Sequence, residues 1–232
     1  MNTGKYIFAQ LIEFLPQRIF DRIVMKYEGN KYVKHFTCWN QLLVMMFGQL
    51  SNRDSLRDLT SIISAHSNKA YHLGFGKNVT RSNLAKVNER REPRIFEEFA
   101  YHMIDLARRK RIHKEFEFVY LTNNMEIPAT QVALLYKYRW RVELFFKWIK
   151  QHLKIKSFWG TTETDVRIQI YSAITAYCMV AIVEHDLKLH RSTYEVLRIL
   201  SASLLDNTPI KELFTKEPEY VADDGQLTLN FI

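Results

Sequence analysis

Residues 136–150 read YKYRWRVELFFKWIK, and the interpretation of this stretch decides what the rest of the chain has to be. Arg139, Glu143 and Lys150 stand at offsets of 3, 7 and 14 from Tyr136. At about 100° per residue, a helix gathers all four within an arc of roughly 60°. Leu135, Val142, Phe145, Phe146, Ile149 and Leu153 form the apolar stripe beside that arc. The spacing therefore predicts a helix whose single carboxylate, Glu143, stands at the edge of a core, half shielded from water. The plainer reading is a solvated helix on which Arg139, Glu143 and Lys147 make i,i+4 ion pairs, each contributing about 0.2–0.5 kcal/mol.

Upstream, Phe118 to Asn124 (FVYLTNN) reads as a short strand. A helix carrying Y-x2-R-x3-E-x6-K after a short strand resembles the signature of insertion-sequence transposases of the insertion-sequence-four group, within the DDE transposase superfamily. The resemblance implies that Glu143 is a metal ligand, the third of three carboxylates on a ribonuclease-H-like sheet that hold two Mg2+ ions. It also implies that Tyr136, Arg139 and Lys150 contact the phosphates of the transposon end. The residue types suit that chemistry. Phosphodiester hydrolysis and strand transfer use two metals about 4 Å apart, and hard divalent ions take carboxylate oxygens. Arginine grips a phosphate as a bidentate fork, and lysine as a point charge.

A ribonuclease-H-like site takes its first two Asp from strands, and neither is found. Asp21, Asp54, Asp58 and Asp105, the Asp residues before the motif, lie in stretches of helical periodicity such as RIFDRIV and YHMIDLARRK. Asp165 and Asp186 come after Glu143, which is the wrong order for the family. The basic run RRKRIHK (Arg108 to Lys114) passes directly into EFEFVYLT, leaving no room for the preceding strands. The expectation is an internally deleted transposase, in which Glu143 has no carboxylate within metal-bridging distance, roughly 4–6 Å. Binding of Mg2+ by one carboxylate is then doubtful.

The formal charge of +8 favours an anionic partner, and the excess is concentrated. Lys137, Arg139, Arg141, Lys147, Lys150, Lys154 and Lys156 face one acid, Glu143, and are interleaved with Trp140, Trp148, Phe158 and Trp159. Clustered cations among aromatics suit a nucleic-acid backbone, and Lys147 and Lys154 join the DNA-binding candidates. Cys38 and Cys178 lie in apolar helical stretches and read as core thiols in a reducing cytoplasm. No His pair has metal-ligand spacing with Cys or acid support. Ile168 to Val183 is the most apolar stretch; it is too short for a bilayer and reads as a buried helix, with no membrane partner expected.

Elsewhere the pattern is helical. Pro16 precedes IFDRIVMKY, which Gly29 and Asn30 end, and Thr37 caps TCWNQLLVMMFGQLS. SLRDLTSIISAH from Ser55 is followed by a linker with Gly74 and Gly76, then by TRSNLAKVNERR, which displays Arg81, Asn83, Lys86, Asn88, Arg90 and Arg91. These two helices suggest a DNA reader of helix-turn-helix type, with Arg81, Lys86 and Arg90 as contacts. The stretches FTCWNQLLVMMFGQLSNRDSLRDL, YHLGFG and RSNLAKVNERR resemble the N-terminal domain of unknown function found ahead of this transposase group. Pro93 restarts a helix, Gly160 and TTETD open the buried one, Ser192 with Glu195 makes a capping box, and Thr208 with Pro209 starts a last short helix.

The expected fold is mainly α (α+β). Residues 1–113 form a helical DNA-binding domain, 118–215 the remnant of a ribonuclease-H-like domain with one or two short strands, and 216–232 an acidic tail in which LTLNFI could pair with FVYLT. The expected function is that of an insertion-sequence transposase, catalytically incomplete, acting on double-stranded terminal repeats as a homodimer or with an intact transposase. The alternative is a non-catalytic DNA-binding regulator or inhibitor of transposition.

Overall fold

The computed structural model describes residues 4–76, 79–111, 127–128, 130–131 and 158–215. The described chain is mostly helical, and no strand occurs among the described residues. The expected strand FVYLTNN and the tail segment LTLNFI lie outside them.

The first helices are α1 (Ile7–Ile12), α2 (Gln17–Lys26) and α3 (Cys38–Leu50). Pro16 occupies the N-cap of α2, as its fixed φ and missing N–H allow. The end of α2 differs from expectation. The left-handed residue there is Glu28, with φ of 50°, and not Gly29. Gly29 is required by packing instead, because a Cβ there would lie 2.4 Å from Ile95 Cδ1 and 2.9 Å from Cys38 Sγ. Helix α3 begins with a reciprocal capping box, in which Thr37 accepts from the Asn40 N–H and Asn40 accepts from the Thr37 N–H. Ser55 caps α4 (Leu56–Ala65), which leads through the short α5 (Ser67–Ala70) to Gly74 and Gly76, both at φ of 73°. Left-handed backbone at both positions suits glycine, as the turn pattern predicts.

Thr80 caps α6 (Arg81–Arg90), and α7 (Arg94–Arg111) follows Pro93. The central element is α8 (Glu163–Asp186), opened by the Thr162–Asp165 capping box. Gly160 makes room for that box, since a Cβ there would sit 2.5 Å from the Asp165 carboxyl carbon. By length and composition alone α8 could cross a membrane, yet 72% of its most apolar window is buried inside this protein. It packs against α1, α3, α6, α7 and α9 (Thr193–Ser203), and its apolar residues point all round the helix because every side has a protein neighbour. Ser192 and Glu195 form the expected capping box of α9, and α10 (Ile210–Thr215) follows Pro209.

One hydrophobic cluster runs from Ile7 to Phe214, so helices from both ends of the chain share a core. Buried Gln10 stitches the ends together, donating to the Lys5 and Thr208 carbonyls while accepting from the Ile210 N–H at 2.9 Å. Within the core Phe8, Phe47 and Phe75 pack ring against ring, as do Phe20, Phe96, Phe99 and Trp39. Cys38 and Cys178 are both buried, in keeping with core thiols.

Helices α7 and α8 run side by side and parallel. Glu97 near the start of α7 accepts from Arg167 and Tyr171 near the start of α8, each at 2.7 Å, whereas Lys110 at the far end pairs with Asp186. The chain therefore returns the full length of α7, about 27 Å at 1.5 Å per residue, before α8 can begin.

Candidate nucleic-acid interface

Glu143, Tyr136, Arg139, Lys147, Lys150 and Lys154 lie outside the described residues. What the structure describes is the scaffold on both sides of them. Upstream, α7 ends in the basic run. Arg109 pairs with Asp105 at 2.7 Å and Lys110 with Asp186, so two of its cations are matched within the fold. Downstream, the chain re-enters at Trp159, whose backbone N–H donates to buried Gln169 at 2.8 Å and whose ring lies over Gly48 of α3. A Cβ at Gly48 would meet that indole at 2.6 Å, so glycine in mid-helix is what admits the tryptophan.

The remaining predicted contacts, Arg81, Lys86 and Arg90, sit together on α6. Leu84 and Asn88 recur every fourth residue and turn inward, and Arg91 just beyond the helix is buried with them. The opposite face presents Ser82, Lys86, Glu89 and Arg90 to solvent, while Arg81 is exposed at the first position of the helix, on the other side from Arg90. Arg81, Lys86 and Arg90 form no ion pair among the described residues. Helix α6 lies against α4 and α8, which fixes its outward face on a rigid support.

Asn88 and Arg91, expected on the displayed face, point the other way. Arg91 donates to Gln41 Oε1 at 3.0 Å and to the Phe36 carbonyl, and Gln41 in turn donates to Asn88 at 2.6 Å. Burial pulls the Arg91 pKa down, with the nearby Cys38 acting in the opposite direction, and the same burial pushes the Cys38 thiol up. This chain of hydrogen bonds holds α6 to α3. Sequence reasoning missed it because Arg and Asn are read as surface residues, although Leu84, Asn88 and Arg91 share one helical face.

Four of the Asp residues considered for metal binding have other partners. Asp58 accepts from the Asp54 N–H and lies 3.5 Å from Arg53, Asp105 pairs with Arg109, Asp165 closes a capping box, and Asp186 pairs with Lys110 and His185. The Asp186 carboxyl is held below its ordinary range by the Lys110 and His185 hydrogen bonds, although its burial, the largest single influence, works against them. Among the described residues no three His, Cys, Asp or Glu side chains come together as a metal would need. The described residues do not fit a divalent-metal site.

Residues 3–76 match a domain of unknown function (DUF4372), and residues 45–179 match the transposase DDE domain. A protein of Sinorhizobium fredii described as a transposase is 47% identical over 78 residues, 34% of this chain and 21% of that protein. A transposase described for an insertion sequence element of Geobacillus stearothermophilus is 41% identical over 59 residues, 25% of this chain and 16% of its own length. One from Synechocystis is 31% identical over 101 residues, 40% of this chain and 30% of its own. In each case the match spans less than a third of the relative's length. No solved structure matches the chain. The transposase DDE match alone runs from residue 45 to residue 179, more than half of the sequence, and the chain belongs to that family.

Proposed function

We propose that this chain acts in DNA transposition by binding the double-stranded terminal repeats of an insertion sequence, and that it does so without a complete catalytic centre of its own. The observation that carries the reading is helix α6, where Lys86 and Arg90 are exposed on the outward face and Arg81 at the first turn, none of them in an ion pair among the described residues, in a member of a transposase family. The cation-rich motif segment, with Tyr136, Arg139, Lys147, Lys150 and Lys154, extends the same surface chemistry.

In this reading residues 118–215 are what remains of a ribonuclease-H-like domain of the insertion-sequence-four type, and residues 1–113 are its helical partner. Glu143 is the surviving ligand of a Mg2+ pair whose two other carboxylates were lost in an internal deletion. The metal would supply activation of the attacking oxygen and stabilisation of the leaving one. With four of the described Asp residues engaged elsewhere, no reaction step is assigned to it here. The chain then works in the cytoplasm as a regulator, either occupying transposon ends or entering a dimer with itself or with an intact transposase.

The test is an end-labelled duplex carrying the terminal repeat, incubated with purified protein and Mg2+ and run on paired native and denaturing gels. A shifted but uncut duplex is expected. Metal-dependent nicking at the repeat end that Glu143→Ala abolishes would refute the incomplete centre, and an unshifted duplex at low salt would refute DNA binding.

A further inference from the structure

The end of α8 closes in a Schellman motif. The Leu189 N–H donates to the Glu184 carbonyl at 3.0 Å and the Lys188 N–H to the His185 carbonyl at 3.1 Å, with Lys188 in the left-handed position at φ of 51°. Glycine is the residue that takes this conformation without strain, so the lysine is held there at a conformational cost. It is not needed as a cap, since backbone N–H groups already satisfy those carbonyls. What Lys188 does instead is line a cavity of about 550 Å3 between the end of α8, the start of α9 and α10.

The cavity wall is cationic. Lys188, Arg191 and Lys211 face it together with His190, and Phe214 forms part of its apolar lining. Lys188, Arg191 and Lys211 make no ion pair among the described residues. The acid in the wall is Glu195, and its carboxylate is already bound to the Ser192 N–H at 2.8 Å and the Ser192 hydroxyl at 2.9 Å. Those bonds hold its pKa below the ordinary range, so it is a capping group engaged with its own helix. Three ammonium or guanidinium groups around one concavity, none in an ion pair among the described residues although Arg191 also helps to hold the Glu195 pKa down, create with the neighbouring imidazole a focused positive potential. Their donors suit the oxygens of a phosphate, Arg191 as a fork and the two lysines as point charges.

We infer that this cavity is a phosphate-binding pocket, a second contact to the DNA backbone remote in sequence from both α6 and the motif segment. The inference rests on the DNA-binding reading for the source of the phosphate, but not for the pocket itself. Phosphate contacts of this kind position a duplex without reading its sequence.

The test compares the native chain with K188G/R191Q/K211Q in binding a short fluorescein-labelled duplex across a salt series, alongside a titration of inorganic phosphate followed by NMR of the His190 side-chain resonances, which both chains retain. Loss of two to three phosphate contacts should make the salt slope shallower by roughly 2–3 and weaken duplex binding at least tenfold at low salt, with the change equal for unrelated sequences. Lys188→Gly alone should raise the thermal midpoint while still weakening binding, a combination that mere misfolding cannot give. A native chain that binds duplex with a slope the triple variant leaves unchanged overturns the pocket and leaves the DNA reading standing. A native chain that binds no duplex sinks the DNA reading. The phosphate titration then decides: shifts that vanish in the triple variant sustain a phosphate pocket fed from another source, and no shifts overturn it.

Discussion

Replacing Gly48 by Ala isolates the contact that anchors the chain where it leaves the motif segment. In an isolated helix the change would stabilise by about 0.5–1 kcal/mol, because glycine loses more backbone freedom on folding. Here the new methyl would stand 2.6 Å from Trp159 and 2.9 Å from Leu59 Cδ2. The leucine end can rotate away, whereas the indole is a rigid plate, and forcing a methylene into a packed core costs about 1–3 kcal/mol. Gly48→Ala should therefore be net destabilising by about 0.5–2 kcal/mol. Trp159→Ala alone should cost about 3 kcal/mol, the low end for a large aromatic, because the buried indole N–H that it removes has no hydrogen-bond partner among the described residues. In that background the obstruction is gone, and Gly48→Ala should change sign and stabilise by up to about 1 kcal/mol. The assay is a double-mutant cycle by urea unfolding, followed by far-ultraviolet circular dichroism so that loss of the tryptophan does not bias the signal. Equal destabilisation by Gly48→Ala in both backgrounds would refute the argument, because the clash would then lie with Leu59 or with α3 itself.

Arg91→Met should lower stability by about 1–3 kcal/mol in thermal unfolding, since Gln41 Oε1 and the Phe36 carbonyl lose their donor, partly offset by removal of a desolvated cation; a variant as stable as the native chain would refute the role of the network. Burial, followed by the hydrogen bond to Glu97, pushes the Tyr171 phenol from 10.0 up to about 12. Its folded pKa exceeds the unfolded one, so its contribution to stability is complete below about pH 10 and is lost as pH rises through about 12. Glu97→Gln should bring the phenol only part of the way down, as read by phenolate absorbance, because desolvation is the larger cause; a full return to 10.0 would contradict that order. Thr162→Ala should cost about 1 kcal/mol in urea unfolding by removing the acceptor for the Asp165 N–H, and no change would mean that the start of α8 does not depend on its cap.

Local chemistry was the legible part of this fold. Thr37 and Ser192 cap the helices that their positions predict, and Ser55, Thr80 and Thr162 cap helices in the same way, because a cap needs only residues three apart in sequence. Gly74 and Gly76 take the left-handed turn for the same reason. The pairing of distant elements was not legible. Gly29 looks like a helix terminator, yet its role is set by Ile95, which reaches it only after α7 has docked. Gly48 looks like a weak point in α3 until Trp159 lies across it. Arg91 reads as another surface cation, although its place on the Leu84 face commits it to the core. On the candidate interface, the exposure of Lys86 and Arg90 followed from the helical period, whereas the cavity at Lys188 required three elements to meet.

The parallel packing of α7 and α8 bears on whether the proposed internal deletion is compatible with a packed fold. Two parallel helices cannot be joined by a tight turn, and the connection must cover about 27 Å from the end of one to the start of the next. An extended chain covers that distance in about eight residues, at 3.3 Å or slightly more each. Residues 112–157 exceed the minimum several-fold, so the span itself places almost no constraint on how much chain stands between the two helices. The cost of closing a longer or shorter loop changes by only about 0.6 kcal/mol for each doubling. Glu97 with Arg167 and Tyr171 at one end, and Lys110 with Asp186 at the other, fix the register from within the helices and not from the connection. The proposed internal deletion would, if it fell inside that connection, leave intact the contacts described between α7 and α8. On that proposal, loss of chemistry and retention of a packed helical core are compatible outcomes of a single event.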